Sequence, residues 1–513
     1  MMKTYYNNIY RTASSILSIC VVLLMFSCEN VLVNEDPNGA NLNDLSPEVV
    51  FPGAQTRPSA TFMTTMNQLG NTMIATWSGN AQQIQAPFFD EFSQQITTDF
   101  YSGVWNNTYI RTGNLTNIIN FESDTNYDYY KGAAKILRTF YMQYLVDMYG
   151  DIPYTDMHRR GDILFPSYDD QEEVYKALVT DINDAIAQIN NTDQSTVVSL
   201  GASDVMLGGD MEQWKKFGNT IKLRLLVRLM ELAETDGETQ AYIQSEMSSL
   251  NQAGTSFLQA GEDVTINPGY SDQTSRMNPF AETFGYLPGS FGVSGSETVS
   301  NTTVGPTTFL VEYLDGTSNG IQDDRLSRLY TPRSGATIVG NTQGGPNINA
   351  RLGAGLLFSP IQDGIIMTAS ESLFLQSEAA FRGYLTNVGS PKALFQAGIA
   401  ASFDRLGANL GNYLNDSDNV QGIGWEGTSD KVEAIITQKW IDLGGTNGAE
   451  TWIEFNRTGY PSNMPLPEIA TQPTQAKRLL YPTSEYTGNS ANVSVYNQTL
   501  DTAFDTPIFW DVN

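Results

Sequence analysis

The stretch YYKGAAKILRTFYMQYLVDMYGDIPYTD, Tyr129–Asp156, sets the character of this chain. Its apolar residues fall at Ala133, Ile136, Leu137, Phe140, Tyr141, Tyr144, Leu145 and Met148. That i, i+3, i+4, i+7 spacing is one buried face of a helix. Gly150 suits the end of such a helix, and Pro153 forbids its continuation. The next segment, SYDDQEEVYKALVTDINDAIAQIN (Ser167–Asn190), carries Val174, Leu178, Ile182, Ile186 and Ile189 on one side. Asp169, Asp170, Glu172 and Glu173 crowd its first turn, where carboxylates favour the helix dipole. Two helices with a turn-rich connector make a helical pair.

The pattern recurs downstream. DMEQWKKFGNTIKLRLLVRLMELAE (Asp210–Glu234) has Asp210 as N-cap and Gln213 at capping-box spacing. SESLFLQSEAAFRGYL (Ser370–Leu385) pairs with SPKALFQAGIAASFDRLG (Ser390–Gly407), where Pro391 suits the first turn. SDKVEAIITQKWIDLGG (Ser429–Gly445) pairs with AETWIEFNRTGYP (Ala449–Pro461). A further long helix fits Gln55–Thr76. Three or four helix–turn–helix units result, without a clean 34-residue period, so they are TPR-like rather than a regular solenoid. Residues 251–360 are helix-poor and rich in Gly, Pro, Ser, Thr and Asn. A loop region that long on a helical scaffold is expected to be functional. The predicted fold class is mostly α: a TPR-like scaffold with long irregular loops and little β structure.

The N-terminal stretch SSILSICVVLLMFSCENVLVNEDPN (Ser14–Asn38) holds both cysteines, Cys20 and Cys28. Its apolar run is about half the ~20 residues that a membrane-spanning helix needs. Lys3 and Arg11 precede it with no acid, the charge pattern of an export signal. Leu24-Met25-Phe26-Ser27 before Cys28 is similar to a bacterial lipobox, although Met25 and Phe26 are large for it; an ordinary signal cut elsewhere, or a buried Cys28, is the alternative. The expected organisation is a lipoprotein signal over residues 1–27, a lipidated tether over 28–46, and one α-helical domain over 47–513. Cleavage before Cys28 removes Cys20 and leaves no thiol, which excludes a disulfide framework and a catalytic cysteine. Any histidine-based mechanism or zinc site would rest on His158 alone. The formal charge of −28 opposes binding to nucleic acid and anionic lipid. No cofactor, catalytic residue or metal site is read from the sequence.

Several separated stretches together resemble one family, the SusD/RagB outer-membrane nutrient-binding lipoproteins. They are FYMQYLVDMYGDIPYTD (140–156), GDMEQWKKFGNTIKLRLLVRL (209–229), SESLFLQSEAAFRG (370–383), QKWIDL with GAETWIEFNRTGYP (438–461), KRLLYPTSEYTGN (477–489) and the closing PIFWDVN (507–513). Their order is collinear, and the pattern is nearest the SusD-like subgroup rather than the founding starch-binding member. The resemblance implies a non-enzymatic, lipid-anchored protein of the outer-membrane cell surface. It would sit as a lid on a SusC-like TonB-dependent β-barrel transporter and pass it an oligosaccharide or, in some members, a peptide. A secreted glycan hydrolase and a TPR-like protein-interaction scaffold are the alternatives. A hydrolase needs an opposed carboxylate pair, which no stretch singles out.

Aromatic residues in loops are the binding candidates, because sugar C–H faces stack on aromatic planes while amides bond hydroxyls. WSGNAQQIQAPFFDEF (77–92) offers Trp77, Phe88, Phe89 and Phe92, with Pro87 breaking regularity; NPFAETFGYLPGSFG (278–292) offers Phe284, Tyr286 and Phe291. The expected ligand-binding set is Trp77, Phe88, Phe89, Phe92, Tyr286 and Phe291, with Cys28 the lipidated residue. Pinning of the loops to the core is the competing reading for each ring. Trp105, Tyr109, Trp214, Trp440 and Trp452 read as core, and Arg224, Arg228 and Arg457 as structural ion-pair partners. DGTSNGIQDDR (315–325) looks like a calcium loop, but Leu326 stands where an EF-hand has glutamate; a structural Asp-x-Arg turn is preferred.

Overall fold

A computed structural model describes residues 45–80, 88–159 and 161–513. The signal, most of the tether, Cys28 and Pro87 lie outside these residues. Ser46–Asn513 form one compact unit. Its long helices are α1 (Pro47–Thr61), α2 (Ser102–Ile119), α3 (Asp128–Tyr149), α4 (Gln171–Asn191), α5 (Met211–Arg228), α6 (Gly237–Leu250), α7 (Ala369–Phe381), α8 (Pro391–Leu406), α9 (Lys431–Leu443) and α10 (Gly448–Thr458). α3 packs on α4, α5 on α6, α7 on α8 and α9 on α10, giving four helical pairs. Neighbouring pairs meet through α3 and α4 on α5, α5 on α7, and α7 on α9.

The helix starts are set locally. Asp170 accepts from the backbone N–H groups of Glu172 and Glu173, Asp210 from those of Glu212 and Gln213, and Ser390 from that of Ala393, with Pro391 following it. Such caps satisfy donors that the first helical turn leaves open. The reciprocal half of the expected capping box is absent, because the Gln213 amide donates instead to Glu262 at 3.0 Å. The first helix departs from expectation. It begins at Pro47 rather than Gln55, runs to Thr61, passes through a π-helical turn over Phe62–Met66, and resumes over Asn67–Met73. Pro47 fits the first turn because the N–H it lacks would have no partner there.

Asn67–Met73 crosses the start of α10 at backbone contact. A Cβ placed on Gly70 would lie 1.9 Å from the Gly448 carbonyl carbon and oxygen. Two glycines therefore let the backbones touch. Asn67 and Asn71 bind the crossing: the Gly448 N–H donates to Asn67 at 2.9 Å and the Gly445 N–H to Asn71 at 2.8 Å.

Trp105, Trp214, Trp440 and Trp452 are buried, as expected of core residues. Beneath the helical pairs lies a buried ionic cluster larger than the sequence announces. Arg228 meets Glu450 at 2.8 Å; Arg457 meets Glu454 at 2.6 Å and Glu378 at 2.8 Å; Lys439 meets Glu450 at 2.8 Å and Glu454 at 3.1 Å; Arg224 meets Glu371 at 3.2 Å. Each helical pair contributes at least one member, Asp147 coming from α3. Trp510, in the C-terminal PIFWDVN, donates its indole N–H to Asp147 at 2.9 Å. Burial raises the Glu454 carboxyl, but Arg457, Lys439 and Arg228 outweigh it and hold its pKa well below the usual value. Asp147 and Glu371 are pushed up to about 6, mainly by burial. A buried pair adds little net stability, yet removing one partner costs about 3–5 kcal/mol. The cluster thus ties the stacking of the four pairs to one geometry.

The segment between α6 and α7 holds short helices and most of the β structure. Three two-stranded antiparallel sheets pair β1 (Trp77–Ser78) with β3 (Gly305–Pro306), β2 (Val264–Ile266) with β6 (Gly364–Met367), and β4 (Tyr330–Pro332) with β5 (Ala350–Leu352). In the calcium-like loop the candidate ligands are engaged with the chain itself. Asp315 accepts from the Thr317 N–H at 2.8 Å, Asn319 from the Ile321 N–H at 2.9 Å, and Asp323 pairs with the buried Arg325 at 2.6 Å. This is the structural Asp-x-Arg turn.

Candidate functional site

The structure brings the two aromatic stretches together. β1 pairs with β3 in the register Trp77↔Pro306 and Ser78↔Gly305. The Gln343 amide donates to the Thr72 and Trp77 carbonyls, both at 2.8 Å. The Trp77 and Phe284 rings stand 5.1 Å apart in edge contact, and Phe284 stands 5.1 Å from Phe280 on the same short helix, Pro279–Phe284. Strand pairing thus fixes the start of the first stretch to Gly305–Pro306, and the Trp77–Phe284 contact joins it to the second.

That anchoring corrects part of the expected ligand set. Trp77 and Phe92 are 0% exposed, and Phe88 and Tyr286 are also buried. Phe88 lies against Gly79, where an added Cβ would sit 2.2 Å from its ring. A buried ring offers no face to a sugar. These side chains are core because large aromatic surfaces gain most by leaving water. Two members of the set reach the surface: Phe89 is 45% exposed, and Phe291 is half-buried, 5.1 Å edge-on from Tyr286. Leu287 and Val293 are exposed beside Phe291 in sequence.

The aromatic run Trp77–Phe284–Phe280 leads into a cavity of about 510 Å³. Phe280, Met63, Leu356, Phe358 and Ile361 give it apolar wall; Asp263, Asn278, Gln362, Thr446 and Arg405 give it polar groups. Phe358 is 60% exposed, an unusual outlay of aromatic surface for a residue held in a fixed loop. The Gln362 side chain holds that loop, donating to the Leu356 carbonyl at 2.8 Å and accepting from the Phe358 and Ser359 N–H groups at 2.9 and 3.2 Å. Asn278 caps the short helix and donates to the Gln362 carbonyl at 2.9 Å. The cavity is therefore preformed, and its size and lining fall in the range of small-ligand sites.

Asp263 accepts the Ala369 N–H at 2.7 Å, and burial raises its pKa above the usual range. Arg405 pairs with Asp442 at 3.0 Å. The arrangement supplies stacking surface plus acceptors and donors for hydroxyl groups. Of the cavity residues, the sequence flagged only those in the helix-poor stretch 251–360, among them Asp263, Asn278, Phe280, Leu356 and Phe358. Met63, Arg405 and Thr446 come from separate parts of the chain outside that stretch, with no shared motif.

His158 is structural. Its Nε2 donates to the Tyr109 carbonyl at 2.8 Å, and its Nδ1 lies 2.7 Å from the Thr116 hydroxyl. Among the described residues no group of three or more His, Cys, Asp or Glu is placed to hold a metal ion. No described helix is long and apolar enough to cross a membrane.

The family described as SusD-like, "Starch-binding associating with outer membrane", matches residues 52–482. Among solved structures, a chitin-binding protein is similar at 23% identity, with 91% of this chain and 100% of that chain covered at TM-score 0.70. A chitin-binding SusD homologue from Flavobacterium johnsoniae is similar at 21% identity, with 90% and 99% covered at TM-score 0.70. A SusD-like protein from Bacteroides thetaiotaomicron is similar at 21% identity, with 91% and 99% covered at TM-score 0.70. At these identities the likeness establishes the fold. No curated protein sequence matches the chain.

Proposed function

The chain belongs to the SusD-like family, associated with the outer membrane, and on that premise we propose that it is a non-catalytic cell-surface lipoprotein that captures an oligosaccharide and delivers it to a SusC-like TonB-dependent barrel. The observation that carries the ligand reading is the exposed Phe358 at a preformed cavity into which the Trp77–Phe284–Phe280 run leads. Phe358 would stack on a sugar face, and the Asp263 and Thr446 side chains would take hydroxyls. Phe89 and Phe291, the surface-reaching members of the aromatic loops, would extend the contact. Chitin binding by two structural neighbours makes N-acetylglucosamine oligomers the first ligands to try. Starch oligomers follow from the family description.

Lipidation of Cys28 and a tether over residues 28–46 would keep the body on the membrane while letting it swing over a barrel. Membrane anchoring and export rest on the sequence of residues 1–46; the barrel partner rests on the family.

The test is isothermal titration of the full chain with neutral chitin and starch oligomers, repeated for Phe358→Ala and Phe89→Ala. Binding weakened by Phe358→Ala supports the cavity, while affinity unchanged in both variants rejects this placement of the site. The hydrolase alternative predicts new reducing ends on prolonged incubation; their absence supports a binding role.

A further inference from the structure

The loop 268–279 faces a second concavity. Residues 278 and 280 line the cavity described above, whereas Met277 and Pro279 line a groove of about 880 Å³ between that loop, α1 and α2. Arg57 of α1, Arg111 of α2 and Arg276 of the loop converge on this groove. None of the three forms an ion pair with a carboxylate among the described residues. Glu282 also lines the groove and accepts the Ser275 N–H at 2.7 Å. Three arginines against one carboxylate reverse the local sign in a chain of formal charge −28. Such a surface otherwise turns anions away.

Arg111 is held in place, donating to the Arg57 carbonyl at 3.1 Å and to the Thr61 hydroxyl at 2.6 Å. Partial burial, and then repulsion from Arg57, lowers its pKa. The two guanidinium groups therefore feel each other with no described carboxylate paired to either, a cost that a bound anion would relieve. Tyr270 also lines the groove, and its hydroxyl is buried with no hydrogen-bond partner among the described residues. Burial raises its pKa, so it is a donor in need of an acceptor, and an unpaired buried donor is costly. Ile110, 62% exposed on the same wall, adds apolar surface that a free inorganic ion would not use.

We propose that this groove is a binding site for an acidic saccharide, one bearing uronate or sulfate groups, with Arg57, Arg111 and Arg276 holding the anionic groups and Ile110 offering apolar surface to its rings. Guanidinium groups suit this role because they bind planar or tetrahedral oxyanions through paired N–H donors. The site is distinct from the Phe358 cavity and does not depend on it.

The experiment titrates the full chain with a tetramer of galacturonic acid and a sulfated disaccharide-repeat tetramer. Their methyl-esterified and desulfated counterparts, and inorganic sulfate, serve as controls. We expect an acidic tetramer to bind about tenfold or more tightly than its neutral counterpart, with affinity falling as salt rises. The exposed pair Arg57→Gln and Arg276→Gln should weaken that binding about tenfold or more and leave neutral-oligomer binding at the Phe358 cavity unchanged. Equal binding of charged and neutral tetramers overturns the proposal, as does wild-type affinity in the double variant. So does capture of anionic lipid vesicles with no binding of either acidic tetramer. Loss of neutral-oligomer binding in Phe358→Ala bears only on the other site.

Discussion

Replacing Gly70 by alanine should destabilise the protein by about 3–9 kcal/mol, whereas Gly53→Ala should stabilise it. The new methyl at Gly70 would sit 1.9 Å from the Gly448 carbonyl group and 2.3 Å from the Ala449 nitrogen, roughly 1.6 Å inside an ordinary carbon contact. These are backbone atoms and cannot rotate aside, so the segment Asn67–Met73 or α10 must move. The overpacking alone costs about 1–3 kcal/mol. The displacement also stretches buried bonds from Gly445 and Gly448 to Asn71 and Asn67, at 2.8 and 2.9 Å, each costing about 1–3 kcal/mol when left unmade. Gly53, in α1, has nothing within 4 Å of its missing Cβ. An alanine there gains about 1 kcal/mol from helix propensity. The assay is urea unfolding of the purified protein followed by tryptophan fluorescence, read as the transition midpoint at constant slope. The midpoint should fall for Gly70→Ala and rise for Gly53→Ala. An unchanged midpoint for Gly70→Ala refutes the backbone crossing.

Other consequences are as direct. Glu454→Gln should cost about 3–5 kcal/mol by leaving Arg457, Lys439 and Arg228 short of a counter-charge, measurable in the same urea titration. The depressed Glu454, Glu450 and Glu378 carboxyls give stability that is present above the ordinary glutamate pKa and lost as pH falls through their folded values. Asp147 and Glu371 act in the opposite sense: their raised pKa values favour the fold below the ordinary range, and that contribution is lost as pH rises through about 6. Asp147→Asn should therefore flatten the stability profile between about pH 4 and 6, and a profile identical to wild type in thermal melts refutes it. Trp77→Ala should lose about 3–5 kcal/mol as a core truncation, so its melting temperature should drop, whereas that of Phe358→Ala should not. Cys28→Ala should release folded, ligand-competent protein from membranes; retention in membranes lacking any transporter refutes the lipid anchor.

The helical pairs were legible because their information is local. The 3.6-residue stripe of Tyr129–Asp156, the carboxylate caps Asp170 and Asp210, and the first-turn Pro391 each act within a few residues of themselves. The arginines of IKLRLLVR were readable as structural for a similar reason: a helix with leucines on every side of Arg224 and Arg228 leaves those charges in the core. The aromatic loops were legible as a place but not residue by residue. Composition distinguishes a loop holding Trp77 and Phe89 from a polar one; it does not distinguish the ring that packs on Phe284 from the ring that stays in water.

From sequence alone come the mostly α class, the TPR-like pairing, the export-signal pattern ending at Cys28 and the family resemblance. All are set by periodicity, capping and motifs that are contiguous along the chain. Tertiary structure alone settles which aromatics are core, that Gly70 meets Gly448, that Trp510 closes on Asp147, and that Met63, Asp263, Phe358 and Arg405 line one cavity. Those relations join residues hundreds of positions apart, and what fixes them is how helices and paired strands exclude water and satisfy buried charges together. No window along the chain contains both partners.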